Sequence, residues 1–336
     1  VMGKLKDDND ETQCYCYAES DDGINWTEPV QDVFEYNGQK TNIVFCRSYL
    51  AHNMSPFLDT NPACPPEHKY KAVAGNSETG LLPLSSPDGI HWRKMREEGV
   101  IKDGAFDSHN VAWYDNYRGK YICYSRYFDT SERGEGVRAI QHCTSDDFLN
   151  WSPQIKNVYN ESAPRDNLYT NATLPIPGAE HILLSTPMRF MPQRKKLFND
   201  EYDASVDNGV SDCVIMTSRD GTHWTRPASS AFILPGTDRR LWTQRNFIVA
   251  RGVLETGDDF SFYVNEHYSW DDSYIRRYTV PRHRLISLHA ETYGCFVSKP
   301  FLFDGSAMKL NYATSAAGDI RLTLSAEGLS RQARFR

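Results

Sequence analysis

Three acidic side chains stand where a carboxylate could do chemistry. Asn53-Met54-Ser55-Pro56-Phe57-Leu58-Asp59 and Gly104-Ala105-Phe106-Asp107-Ser108-His109-Asn110 each place an acid just after a phenylalanine, at the opening of a strand-rich stretch. Tyr263-Val264-Asn265-Glu266-His267-Tyr268 ends an alternating run on Glu266, with tyrosines on both sides. Carboxyl groups converging from distant segments are what cleavage of a glycosidic bond requires. One protonates the leaving oxygen, and the other activates water or attacks the anomeric carbon. Partial burial would raise the pKa of Glu266, as a general acid requires. Each acid also has a plain structural reading, Asp59 and Asp107 as turn caps next to Pro62 and Asn110, and Glu266 as a residue of the fold alone. Asp212, just before Cys213-Val214-Ile215-Met216, reads as a channel acid or, by preference, a turn residue.

Two arginines are set among aromatic and apolar neighbours, in Tyr124-Ser125-Arg126-Tyr127 and Pro187-Met188-Arg189-Phe190. A long cation in such surroundings is paired in a salt bridge or binds an anionic or hydroxylated ligand. Around it, His109, Asn110, Asn171, Arg245 and His267 would supply hydrogen bonds, and Tyr169 or Trp242 a stacking face. The proposed chemistry therefore draws on Asp107 and Glu266 as the carboxylate pair, with Asp59 assisting.

The elements that must position these residues are announced by a repeat. Ser20-Asp21-Asp22-Gly23-Ile24-Asn25-Trp26, Ser86-Pro87-Asp88-Gly89-Ile90-His91-Trp92 and Ser218-Arg219-Asp220-Gly221-Thr222-His223-Trp224 share one form, and Ser145-Asp146-Asp147-Phe148-Leu149-Asn150-Trp151 is a weaker copy. Their third-position aspartates lie 66, 59 and 73 residues apart. An active site needs its reactive groups once, so a feature present four times is scaffold. Asp-Gly is turn chemistry, in which the acid bonds nearby amides and Gly supplies positive φ. Alternating segments precede each copy and short polar segments follow it, so each copy joins two strands of a hairpin.

Strand signals continue between the copies, at Lys69–Ala74, Val111–Asp115, Lys120–Tyr127, His181–Thr186, Phe260–Glu266 and Ile275–Val280, and helical periodicity is nearly absent. A strand-rich repeat of about 60–70 residues reads as a four-stranded propeller blade. Residues Leu241–Leu288 have the length of one more, predicting an all-β, five-bladed β-propeller over residues 1–291 with its first blade incomplete at the N-terminus. Residues 292–336 form a short β-rich, sandwich-like appendage, with strands expected at Phe296–Phe303, Met308–Ala313 and Asp319–Ser325.

Composition narrows the partners. A net charge of −7 argues against nucleic acid, which needs a basic face. No run approaches a membrane span. The eight cysteines show no zinc spacing, and Cys14, Cys16, Cys123, Cys143 and Cys213 lie in strand patterns that predict buried free thiols. No cofactor or metal is called for, with a structural or channel cation such as calcium left open. The partner expected is carbohydrate.

The Ser-x-Asp-Gly-x-x-Trp turns resemble those of five-bladed propeller glycoside hydrolases, the broad group holding families 43, 32 and 130. Tyr17-Ala18-Glu19-Ser20, Phe106-Asp107-Ser108, Glu266-His267-Tyr268 and Leu310-Asn311-Tyr312 together are similar to a set of bacterial proteins labelled hypothetical glycosyl hydrolases. The resemblance implies action on a poly- or oligosaccharide in the periplasm or outside the cell. It further implies three acids from successive early blades, onto which Asp59 and Asp107 map by position. Between Asn150 and Asp200 the only glutamates are Glu161 and Glu180, in turn-like settings, so Glu266 joins the set instead. Two other classes stay open, a non-catalytic sugar-binding propeller and a sialidase-like hydrolase. The latter would need three convergent arginines, for which Arg126, Arg189 and Arg245 are candidates.

Overall fold

The structure, a computed structural model, describes residues 2–4, 13–46, 49–51, 53–130, 136–196, 208–227, 229–326 and 329–335. The chain divides into two compact units, Val1–Val280 and Pro281–Arg336. The first is an all-β propeller. Its sheets are antiparallel apart from one short parallel pair, Val158–Tyr159 with His223–Thr225, and no α-helix occurs among the described residues.

Two blades are regular. Ser55–Leu58, Tyr70–Asn76, Gly80–Ser86 and Arg93–Lys94 form one four-stranded sheet in chain order, and Val111–Asp115, Lys120–Asp129, Val137–Ser145 and Ile155–Lys156 form the next. In the following blade the long strands are interrupted. Asn167–Leu168 and Leu174–Ile176 pair with Met188–Met191 and Ala179–Ser185, which pair in turn with Val210–Cys213 and Met216–Ser218. A further meander runs through Leu254–Thr256, Asp259–Glu266 and Tyr274–Pro281. Gln13–Cys16 lies between Met2–Lys4 and Ile43–Cys46. One apolar core crosses three of these sheets, from Phe57 and Val73 through Val111, Ile122 and Phe148 to Leu183, Met216 and Trp224. Strands such as Gly80–Ser86 are buried along their whole length for that reason.

The repeated turn has one hydrogen-bond pattern. The Ser hydroxyl donates to the Asp carboxylate at 3.1 Å (Asp22), 2.9 Å (Asp88), 3.1 Å (Asp147) and 3.2 Å (Asp220). It also accepts the amide three residues on, at 2.9 Å in every copy. Asp Oδ1 accepts two further amides, and Oδ2 holds Asn25, His91, Asn150 or His223. His223 is thus a turn residue. Gly23, Gly89 and Gly221 supply the left-handed φ of 70°, 81° and 86°. Phe148 adopts 69° at the same place. The strain of about 1–2 kcal/mol is offset by full burial of its ring against Phe57, Tyr121 and Trp151.

At Asp22 the amides of Asn25 and Ile24 draw the carboxyl well below its ordinary range. Burial pushes the other way at Asp88, Asp147 and Asp220, but the amide and side-chain donors outweigh it, leaving Asp147 at about 2 and the other two well down. A depressed folded-state pKa contributes stability above the unfolded value, near 3.9, and loses it as pH falls through the folded value. Asp220→Asn should therefore lower Tm modestly at pH 7, and the gap from wild type should narrow between about pH 4 and pH 2. Melting curves across that range check this, and a gap that stays constant would refute it.

The first copy of the turn is tied to the last blade. Tyr263 donates to the Gly23 carbonyl at 2.6 Å, across 240 residues of chain, and its ring meets Trp26 edge-on at 5.6 Å. Cys14 departs from the free-thiol expectation. It is the cross-strand partner of Cys46, and the two form a disulfide. Cys123 and Cys143 also face each other across a strand pair, but as buried thiols.

In the second unit Ile320–Ala326 and Leu329–Phe335 form a hairpin. The strands expected at Phe296–Phe303 and Met308–Ala313 are absent. Most of their apolar side chains, Phe296 and Val297 among them, lie exposed, and no described strand pairs with those segments. Alternation alone does not make a strand without an edge to join.

Candidate functional site

Antiparallel pairing decides which residues share a rim of the propeller. A residue just before a blade's first strand and one near the end of its second strand lie at the same end of the sheet. The Ala105 amide donates to the Arg126 carbonyl at 2.8 Å, which puts Asp107, His109 and Asn110 at the rim of Arg126. In the next blade the Tyr169 amide donates to the Met188 carbonyl at 2.8 Å, and beyond it the Phe247 amide donates to the Asn265 carbonyl at 3.0 Å. Tyr169 with Arg189, and Arg245 with Glu266, therefore take the corresponding places.

Asp59 is not among them. It follows its first strand, Ser55–Leu58, instead of preceding it, and so stands at the opposite rim, as Asp115 does in the next blade. Its carboxylate is fully enclosed in contact with Lys71 and accepts the Tyr121 hydroxyl at 2.7 Å. Burial draws the Lys71 ammonium down, but Asp59 and Tyr121 more than compensate and hold it above its ordinary value. The expected assisting acid is thus a fastener between blades. No acid stands between Tyr49 and Leu58, so this blade has no counterpart of Asp107.

At the Asp107 rim the structure assembles a basic and aromatic cluster. Arg126, with only 3% of its side chain exposed, contacts the Asp107 carboxylate, which is 62% exposed. On the neighbouring strand Arg138 stands opposite Phe128, on the face that carries Arg126. Both guanidiniums lie 5.0 Å from the Tyr169 ring centroid. Arg138 also lies over Phe128 and Phe190, at 5.5 and 5.2 Å. Its backbone amide donates to Asn167 Oδ1 at 3.1 Å, which docks this strand on the next blade. Arg245 stands near enough for its charge to act on Arg138, and it donates to the Tyr268 hydroxyl at 3.1 Å. Burial draws both Arg126 and Arg138 below their ordinary values. The Nε atoms of Arg126 and Arg138 are buried without a hydrogen-bond partner.

Several expected ligands are engaged elsewhere. Asn110 is fully buried and donates to the carbonyls of Phe106 and Ser108. Asn171 donates to the His109 carbonyl at 2.8 Å and accepts the Thr173 amide. Both brace the blade openings. His109 is half-buried with its Nδ1 enclosed, and burial, aided by Arg251, pulls its pKa down to about 4, so the ring is neutral near pH 7. Arg189 makes a two-pronged pair with Asp212, at 2.9 and 2.6 Å, and reaches Asp166 at 3.3 Å. Asp212 is accordingly a paired strand residue and not the turn residue expected. Trp242 donates to the Gly236 carbonyl and lies under Arg194, and the Tyr169 ring serves two arginines, so both expected stacking rings already carry a cation.

Glu266 departs furthest from expectation. Burial pushes its carboxyl up, yet Tyr274, Tyr278 and Arg276 donate to it and bring it below the ordinary value, with Arg276 Nε at 2.8 Å. Its side chain is fully enclosed. It is an ionised anchor of the blade, unsuited to carry a proton to a leaving group. His267 lies between Asp238 at 2.9 Å and Asp272 at 3.0 Å.

Two surface clefts, of about 620 and 290 Å³, are lined by Arg96, Glu97 and Trp151 and by Val33, Phe45 and Trp92. Neither includes a member of the rim cluster, although the larger also carries Glu98 and Lys102. Among the described residues no group of three His, Cys, Asp or Glu is arranged for a metal ion, and no helix is long and apolar enough to cross a membrane.

No protein-family model and no curated protein matches the chain. Among solved structures it is similar to BT0996 in an RGII complex, at 10% identity over 82% of this protein and 81% of that one, with a TM-score of 0.51. A glycoside hydrolase shares 11% identity over 83% and 82%, at 0.49. An N-acetylgalactosamine deacetylase from F. plautii, in complex with blood group B trisaccharide, shares 12% over 78% and 79%, at 0.48. At 10% identity the likeness to BT0996 is one of fold.

Proposed function

We propose that the chain acts on carbohydrate at the Asp107 rim, as a glycoside hydrolase built on a ring that we read as five blades. The observation that carries the reading is a solvent-facing carboxylate, Asp107, held by a buried arginine beside a tyrosine ring. A guanidinium next to a carboxylate favours its ionised form. That form activates water or attacks an anomeric carbon. The aromatic and guanidinium groups around it offer sugar hydroxyls the donors and apolar faces that orient them.

A second reading is a glycan-binding site without turnover. The enclosure of Glu266 by three donors favours it, because the expected second carboxylate is then withdrawn from the reaction. Incubation with a panel of neutral and acidic oligosaccharides separates the two, with new reducing ends and bound ligand measured in parallel. Cleavage supports the first reading and binding without cleavage the second. A protein that neither binds nor cleaves any glycan would overturn both.

A further inference from the structure

Arg138 forms no ion pair among the described residues, although burial disfavours its charge and two further arginines stand near it. Arg126 shares the Tyr169 ring with it, and the charge of Arg245 acts on it. Asp107 is the carboxylate this cluster holds, and it contacts Arg126. Two guanidiniums on one tyrosine ring, with a third close enough for its charge to act on Arg138, are costly to assemble. Aromatic faces relieve part of that cost, since a guanidinium over a ring is attracted to its π-cloud. They do not satisfy the N–H donors, and a buried donor without a partner is unfavourable. An anion with two coplanar oxygens would satisfy them, because guanidinium and carboxylate match in a two-pronged geometry.

We propose that this rim recognises a carboxylate-bearing sugar, such as a uronic or other acidic residue of a glycan, with Arg138 as its principal partner and Arg126 and Arg245 completing the positive field. This rests on the carbohydrate reading of the site and specifies its substrate class. Arg189, one of three arginines that the sequence offers for such a role, is excluded by its pairing with Asp212 and Asp166, and Arg138 takes its place.

The test compares matched ligands. Oligogalacturonate, a glucuronate-bearing xylan oligosaccharide and sialyllactose are each titrated against the carboxyl-reduced form of the same molecule. At least one acidic form should bind about ten-fold or more tightly than its reduced form, as expected for a charge-assisted pair. Added salt should shrink that preference. Arg138→Gln should remove most of it, and Arg138→Lys should keep part. Circular dichroism and melting of both variants show that they are folded, and wild type alone decides the matter if they are not. If reduced glycans bind as well as acidic ones, the inference fails while the carbohydrate reading stands. If acidic preference survives Arg138→Gln in a folded protein, Arg138 is not the partner. If no glycan of either kind binds, both fail.

Discussion

Asp107→Asn should abolish cleavage of whichever glycan the wild-type protein turns over, by about 10²- to 10⁴-fold, with only a small change in Tm. The substitution removes the charge that activates water or attacks carbon, and it keeps the shape and one hydrogen-bond acceptor for Arg126. The side chain is mostly exposed, so little packing is lost. It has a second consequence that a structural role would not produce. Asp107 competes with any ligand carboxylate for Arg126, so the variant should bind acidic glycans more tightly while cleaving them less. Initial rates and titrations on the same preparation test both halves. A variant that cleaves at the wild-type rate would remove Asp107 from the chemistry and leave the fold untouched.

Lys71→Met should lower Tm by roughly 10 °C, from a loss of about 3–5 kcal/mol. Asp59 would remain enclosed with no cation beside it, and a buried carboxylate without its partner is far costlier than the pair's net worth. Its remaining donors, the Tyr121 hydroxyl and the Asn61 amide, are neutral. Removing both charges in Asp59→Asn/Lys71→Met should restore much of the stability. The same double variant examines the role of Asp59 directly. Should it melt near wild type and yet lose all turnover, Asp59 acts in catalysis after all and its description as a fastener is wrong.

Local chemistry explains which features could be read from the sequence. The four Ser-x-Asp turns were legible because each is closed by side chains within seven residues, and so were the strands Val111–Asp115, a short apolar run, and Asp259–Glu266, whose alternation is local. Asp59 was misplaced because a phenylalanine followed by an acid looks alike at either end of a first strand. Only the pairing of Leu58 with Tyr70 tells which end it is. Glu266 was misjudged because its donors arrive from the next strand. Tyr274, Arg276 and Tyr278 alternate along one face, a pattern visible in the sequence once the hairpin is drawn. Arg138 carried no local signal. Its setting depends on Phe128 across the strand pair and on Tyr169 from the neighbouring blade, and no spacing along the chain reveals that meeting.

The bond between Tyr263 and Gly23 bears on how such a ring assembles. Neighbouring blades can dock once a hundred or so residues have emerged from the ribosome, but this seam joins segments 240 residues apart. The entropy of closing a loop grows only as the logarithm of its length, so distance alone is a mild penalty. Order of arrival is the stronger constraint, because the last blade must exist before the first turn has anything to meet. Until then the edge of the first blade is an open template for other strands. The seam is also crowded, since a Cβ at Gly23 would lie 2.5 Å from the Tyr263 hydroxyl oxygen. A ring that shuts last at this seam, where the Tyr263 hydrogen bond and the Trp26 ring contact are among the fastenings, has its natural opening point there. Amide exchange that begins at Gly23 and Tyr263, ahead of the central strands, would be the signature of that hinge.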